Sequence, residues 1–190
     1  KIDDIDIKDY DLDFLRKNMS IVPQDTFLFS DTIMNNIKFS NENAEEEEVR
    51  KAADLACALE FIEKFEDGFD TEVGERGIGL SGGQKQRISI TRALVRRAKI
   101  LILDDATSAL DMETEHRLLK NLSEREDNST TFIIAHRISA VKNADMIIYL
   151  ENGEIKEKGT HEELLNLKGK YYDIYCSQFK DFNLLEKEVI

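Results

Sequence analysis

Apolar positions recur along the chain in two rhythms. Period-two or unbroken aliphatic runs predict strands, and apolar residues three and four apart predict helices. Ile2, Ile5 and Ile7 open in a short apolar–polar alternation that predicts a strand and turn. Residues 11–17 predict a brief helix with Leu12 and Leu15 inward, and residues 19–22 a short strand ended by Pro23, the only proline. Residues 26–39 carry Phe27, Leu28 and Phe29 through a loop into a short helix. Val49, Ala52, Ala53 and Ala56 form one stripe of a helix over residues 43–58, with Asn43 as its cap. A second helical stretch covers residues 59–65, and Gly68, Gly74, Gly77 and Gly79 mark a long loop.

From Gly82 the order becomes helix, strand, helix, strand: a helix to about residue 97, a buried-type strand over 100–103, a helix over 112–122 and another buried-type strand over 131–135. Asn152-Gly153, flanked by the stretches 146–150 and 154–158, predicts a hairpin. Thr160-His161-Glu162-Glu163 is a capping box for a helix through Leu167, and residues 171–182 predict a last aromatic amphipathic helix. Helices alternating with aliphatic strands imply an α/β fold with a parallel core and an antiparallel edge. No internal repeat or linker divides the pattern.

Length and charge narrow the classes. A chain of 190 residues, 41% hydrophobic and 34% charged, suits one globular domain. No apolar run approaches the roughly 18 residues of a membrane span, and the opening lacks the apolar stretch of a signal peptide. A formal net charge of −13 argues against nonspecific nucleic-acid binding and against an anionic membrane surface. Cys57 and Cys176 match no metal spacing and read as idle thiols. The run Glu45-Glu46-Glu47-Glu48 is tempting as a metal site, but four acids in a first helical turn match the positive end of the helix dipole and read as a solvated helix start.

Two segments carry chemistry. Leu80-Ser81-Gly82-Gly83-Gln84 opens a helix, where unpaired N–H groups favour an anion. Gly82 and Gly83 let a phosphate approach the backbone, while Ser81 and Gln84 add side-chain donors. Ser81-x-x-Gln84 also fits an ordinary capping box, and the local pattern leaves both readings open. Ile100-Leu101-Ile102-Leu103 ends in Asp104-Asp105, placing carboxylates at the C-terminal end of a parallel strand, where open α/β sheets hold ligands. The plainer reading is a helix cap, which Thr107 or Ser108 could also supply.

The succession decides between them. Residues 80–87, then 100–105, then Ser108-Ala109-Leu110-Asp111, then Ile133-Ile134-Ala135-His136-Arg137 together resemble the nucleotide-binding domain of an ABC transporter over essentially the whole chain. Ile21-Val22-Pro23-Gln24-Asp25 resembles the Q-loop, residues 71–77 the exporter X-loop, and Gly159-Thr160-His161-Glu162-Glu163-Leu164 the end of the catalytic core. The resemblance is to bacterial multidrug and lipid half-transporters. It implies a P-loop NTPase-like core with a mostly parallel sheet, a helical signature-motif subdomain over about residues 38–98, and a C-terminal antiparallel hairpin plus helices. It implies ATP and Mg²⁺ as cofactors. Asp104 and Gln24 would contact the metal. Asp105 would occupy the catalytic-base position, with Gln24 near the attacking water and His136 sensing the γ-phosphate. Ser81, Gly82, Gly83 and Gln84 would bind ATP held by a second nucleotide-binding domain, and Asp111 would communicate across that dimer. Residues 25–29 would receive a transmembrane domain, placing the protein on the cytoplasmic face of a membrane with no nucleic-acid partner. His116 and His161 match no motif and read as structural or solvent-facing. A soluble ABC-type ATPase of DNA repair or chromosome maintenance is the alternative; the Q-loop and X-loop runs and the acidic charge speak against it.

Two departures qualify the resemblance. The phosphate loop G-x-x-x-x-G-K-[ST] does not occur in these 190 residues, where Gly169-Lys170 is the only Gly-Lys pair. Residues 1–190 are therefore expected to be a single ABC ATPase domain lacking its N-terminal part, soluble as a piece and unable to hydrolyse ATP alone. The second departure is Asp105, where the family usually has glutamate. An aspartate there often marks the degenerate site of a heterodimer; a slowly hydrolysing homodimer is the other arrangement.

Overall fold

The computed structural model describes residues 1–74, 79–125 and 129–185, with side chains to residue 179. It comprises two compact units, Lys1–Ile134 and Ala135–Ile190.

The first unit is built on a three-stranded parallel sheet. β1 (Met19–Val22), β4 (Ile100–Asp104) and β5 (Thr130–Ile134) lie in the order β1-β4-β5, with Val22 opposite Leu103 and Asp104 opposite Ile134. One face is buried: Ser20 and Val22 of β1 and Leu101 and Leu103 of β4 point into the core. The aliphatic runs at 100–103 and 131–135 are thus not buried throughout, since side chains alternate across a strand. On the other face Ile21, Phe132 and Ile134 stay exposed.

The core side is filled by helices α2 (Ile33–Lys38), α3 (Glu46–Leu55) and α5 (Gly82–Val95), which supply Ile33, Ile37, Val49, Ala53, Ile88 and Ile90, all essentially inaccessible. Short helices α1 (Leu12–Asn18) and α4 (Leu59–Ile62) and the longer α6 (Met112–Ser123) complete the unit, with a two-stranded antiparallel piece of β2 (Asp31–Thr32) and β3 (Glu72–Val73). Of the X-loop run, Glu75, Arg76 and Gly77 lie outside the described residues.

Several expectations are corrected. The opening is not an extended strand. Asp3 and Asp4 take left-handed φ of 48° and 65°, closing a turn in which Ile2 and Ile5 make a single bridge. Leu12 does not face inward but is exposed, as is Phe14. Helix α3 starts at Glu46 with Glu45, not Asn43, as its cap, and the Glu48 carboxylate accepts the Glu45 N–H at 3.0 Å. Burial of Ala44 and the Ala44 N–H to Asn41 carbonyl bond hold the preceding residues in a turn. The helix stops at Leu55 because Cys57 takes a left-handed φ of 55°, and α4 ends at Ile62 rather than at residue 65.

The second unit holds α7 (Ile138–Val141), the antiparallel hairpin β6 (Ile147–Glu151)–β7 (Glu154–Gly159), α8 (His161–Leu167) and α9 (Lys170–Leu185). Asn152 and Gly153, at φ 52° and 76°, make the turn that their sequence predicts. Thr160 caps α8 through the Glu163 N–H at 3.3 Å. Ile138, Ile147, Leu164 and Tyr171 form its small core. His161 is structural here: its Nδ1 lies 2.7 Å from the Tyr171 hydroxyl, and burial pushes the Tyr171 phenol up from its ordinary pKa.

Candidate functional site

The parallel register sets the site's geometry. Val22 pairs with Leu103, so Gln24 and Asp105, each two residues further on, emerge at the same level of adjacent strand ends. The Gln24 Nε2 donates to the Asp105 Oδ2 at 3.4 Å. Asp104, the last residue of β4, shares this C-terminal edge and is half-buried, as is Asp105. Asp105 holds a left-handed φ of 48°, a conformation aspartate tolerates better than most residues. Two bonds fix that backbone: the Asp105 N–H donates to the Ile134 carbonyl at 2.9 Å, and the Asp105 carbonyl accepts the Ser108 hydroxyl at 2.9 Å.

Helix α5 brings the glycine segment against the residues that follow. Ser81 is its N-cap, and the box is reciprocal: Gln84 N–H to Ser81 Oγ at 3.3 Å, Ser81 N–H to Gln84 Oε1 at 2.8 Å. The capping reading is therefore realised. It does not exhaust the anion reading, because a hydroxyl that accepts one bond keeps its own proton to donate. A Cβ on Gly83 would sit 3.0 Å from the Ala109 carbonyl oxygen, so this position tolerates no side chain without displacing the 108–110 turn. Arg87 braces the segment from below. Its Nε donates to the Gly83 carbonyl at 3.2 Å, its Nη1 to the Cys57 carbonyl at 2.7 Å, and its guanidinium lies 4.5 Å from the Phe61 ring centre. Burial lowers its pKa, yet a guanidinium stays charged at neutral pH.

Asp111 caps α6, accepting the Thr114 N–H at 2.9 Å and its hydroxyl at 2.8 Å. These bonds hold its carboxyl below the ordinary aspartate range, the Thr114 N–H first among them. A depressed pKa means that the cap supports α6 above the ordinary aspartate value and is lost as pH falls through the lowered one. The buried Glu115 on the next turn accepts the Thr107 hydroxyl at 2.7 Å.

Three aromatic residues beyond Gln24 form a separate surface. Phe27, Phe29 and Phe39 are exposed and meet in sequence, Phe27 edge-on to Phe29 with ring centres 5.1 Å apart and Phe29 tilted against Phe39 at 4.5 Å. Beneath them Asn36, buried, accepts the Phe29 N–H and donates to the Phe29 carbonyl. Arg92 reaches from α5 to the Phe27 carbonyl at 2.9 Å and to both the side chain and carbonyl of Asn36. A cavity of about 370 Å³ opens beside Phe29, Asn36 and Phe39.

Gln24, Asp104 and Asp105 thus come together, and Gly82 and Gly83 lie against the 108–110 turn that leads to Asp111. His136 belongs to the second unit. Its side chain is exposed, and its carbonyl accepts the Gln178 amide at 2.8 Å while Gln178 Oε1 accepts the Ile138 N–H. Gln86, Asn36 and Arg92 have no role in the sequence motifs, and Ser108 figures there only as a possible helix cap. One signal was available for Gln86: it lies four residues before Ile90, on the buried stripe of α5, where a polar side chain needs partners.

Cys57 and Cys176 are free thiols, the first buried and the second half-buried. No helix among the described residues is long and apolar enough to cross a membrane.

The profile of the ABC transporter family matches residues 1–108. The chain belongs to that family. It is 51% identical over 98% of its length to an uncharacterized ABC transporter ATP-binding protein, YknU, of Bacillus subtilis, covering 32% of that protein. It is 52% identical over 93% of its length to an ATP-dependent lipid A-core flippase of Desulfotalea psychrophila, covering 31% of it. Among solved structures it resembles a bacterial Atm1-family ABC exporter with ATP bound, with a TM-score of 0.82 and 44% identity over 86% of this chain and 29% of that one. The chain spans about a third of the length of the curated relatives it matches. The α/β architecture expected from the sequence, parallel core and C-terminal hairpin included, is the observed one.

Proposed function

We propose that this chain is the ATP-binding and ATP-hydrolysing domain of a membrane exporter and couples hydrolysis to export. The observation that carries the reading is the Gln24–Asp105 contact beside Asp104 at the C-terminal edge of a parallel sheet. Carboxylate and amide oxygens are the hard donors that Mg²⁺ prefers. Asp104 and Gln24 are the groups offered to the metal, which would neutralise phosphate charge. Asp105 stands at the base position, and His136 is the γ-phosphate sensor. Ser81, Gly82, Gly83 and Gln84 serve ATP held by a second nucleotide-binding domain, with Asp111 at that interface. The exposed Phe27–Phe29–Phe39 surface is where a transmembrane domain docks, so the domain works at the cytoplasmic face of a membrane. The relatives named above, a flippase and an exporter among them, support this over a DNA-maintenance ATPase, as does the net charge of −13.

Aspartate at position 105 suits the degenerate-site subunit of a heterodimer, in which the intact segment from Ser81 to Gln84 completes the partner's site. Residues 1–190 alone contain no phosphate loop, so their own hold on nucleotide is weak. Calorimetric titration of residues 1–190 with Mg-ATP should give no saturable binding at micromolar nucleotide and no hydrolysis. Micromolar affinity would place the phosphate grip within this chain and contradict the reading.

A further inference from the structure

We infer that Gln86 is a positioning residue for Asp105: its buried amide ties the start of α5 to the turn that carries the Asp105 carboxylate. The inference rests on the ATPase reading above. Gln86 is 4% exposed, and both ends of its amide are engaged on one segment. Its Oε1 accepts the Ala109 N–H at 3.0 Å. A backbone N–H can only donate, which fixes the amide's orientation and turns Nε2 toward Ser108. Nε2 donates to the Ser108 Oγ at 3.3 Å, and that hydroxyl donates onward to the Asp105 carbonyl at 2.9 Å. The result is a directed relay from α5 to Asp105, whose left-handed backbone at φ 48° needs such support. Three residues upstream on α5, Gly83 sits where a Cβ would come within 3.0 Å of the Ala109 carbonyl. The same five-residue stretch, 105–109, is therefore gripped at Ser108 and Ala109 by Gln86 and abutted at Ala109 by the glycine turn.

Two sites meet in this geometry. The segment from Ser81 to Gln84 serves nucleotide held by the partner, and Asp105 serves this chain's own. A shift of the α5 start is transmitted through Gln86 and Ser108 to the Asp105 carbonyl, with no contact between Gln86 and nucleotide. Gln86 therefore sets the rate of the chemical step and not the affinity for ATP.

The test uses the full-length protein in lipid, with the partner's own site silenced, and reads ATP turnover at the Asp105 site. Gln86→Met keeps the shape and removes both bonds; kcat should fall about tenfold, as expected for a sub-ångström misplacement, with KM for ATP unchanged. Ser108→Ala should lower kcat in the same way, and the double variant should be no worse than Gln86→Met, because both break one relay. Gln86→Glu supplies a readout that a packing role would not move. Ionised, it has no proton for Ser108; protonated, it does, and burial raises its pKa. Its activity relative to wild type should rise as pH falls. Unchanged kcat in Gln86→Met, independent losses that multiply in the double variant, or a pH-flat ratio for Gln86→Glu would each overturn the inference. If Gln86→Met does not fold, Ser108→Ala at its exposed position and the Gln86→Glu pH ratio decide. Absence of turnover in the wild-type protein overturns the ATPase reading itself, whereas normal turnover with insensitive variants overturns only the relay.

Discussion

Asp105→Glu is expected to raise single-turnover ATP hydrolysis at this chain's own site, by up to about 10²-fold. Aspartate ends one methylene short of glutamate, a deficit of roughly 1.5 Å in reach, and misplacement on that scale is what costs a base its efficiency. The rest of the edge is in place: Asp104 ends β4 and the Gln24 amide already meets the Asp105 carboxylate. The change has an opposing cost, because position 105 holds φ 48°, and a longer side chain tolerates the left-handed region less well by about 1 kcal/mol. That strain lowers folding stability and leaves the gain in reach intact, so a small drop in melting temperature should accompany faster chemistry. The assay is single-turnover hydrolysis in the full-length dimer with the other site silenced by neutralising its catalytic carboxylate. No acceleration, with the partner's glycine-rich segment intact, would show that reach is not the defect.

Gly83→Val should abolish hydrolysis at the partner's site, by about 10²-fold or more, while leaving nucleotide affinity at this chain's own site unchanged. Gly83 has an ordinary φ, so its value lies in space and not in backbone freedom. A Cβ alone would stand 3.0 Å from the Ala109 carbonyl oxygen and 3.5 Å from Leu110. A branched side chain must displace either the start of α5 or the turn beyond Asp105. Gly83→Ala should fall between the two, since the neighbour needs to give by only a few tenths of an ångström. Dimers pairing one variant chain with one wild-type chain, carrying a photoreactive ATP analogue, separate the effects. Loss of label from the variant chain itself would show that Gly83 serves its own nucleotide.

Much of this was legible in the residues. The four-residue strand at 19–22, the strand ending in Asp104, the cap at Ser81 and the hairpin at Asn152-Gly153 all follow from local chemistry that the fold does not override. What sequence could not give was whatever depends on neighbours. Leu12 and Leu15 have helical spacing, yet Leu12 stays exposed. The aliphatic strands look uniformly buried, yet Ile21, Phe132 and Ile134 face out of the core. Asn43 is a good cap by type, but a buried Ala44 keeps it in the turn before the helix. At the site, motif spacing singled out the residues proposed to meet a ligand. It passed over those that hold the backbone behind them, because Gln86 reaches Ser108 across 22 residues and Arg92 reaches Asn36 and Phe27 across 56 and 65.

The edge formed by Gln24, Asp104 and Asp105 is proposed above to be a metal-dependent ATP hydrolysis site. The most direct measurement is Mg²⁺-dependent ATP hydrolysis at this chain's own site in the full-length protein, wild type against Asp104→Asn, with the partner's site silenced. Slow, Mg²⁺-requiring turnover is expected, which Asp104→Asn should reduce by about 10²-fold or more. Turnover that survives Asp104→Asn undiminished, or a wild-type site that never hydrolyses ATP, would contradict it.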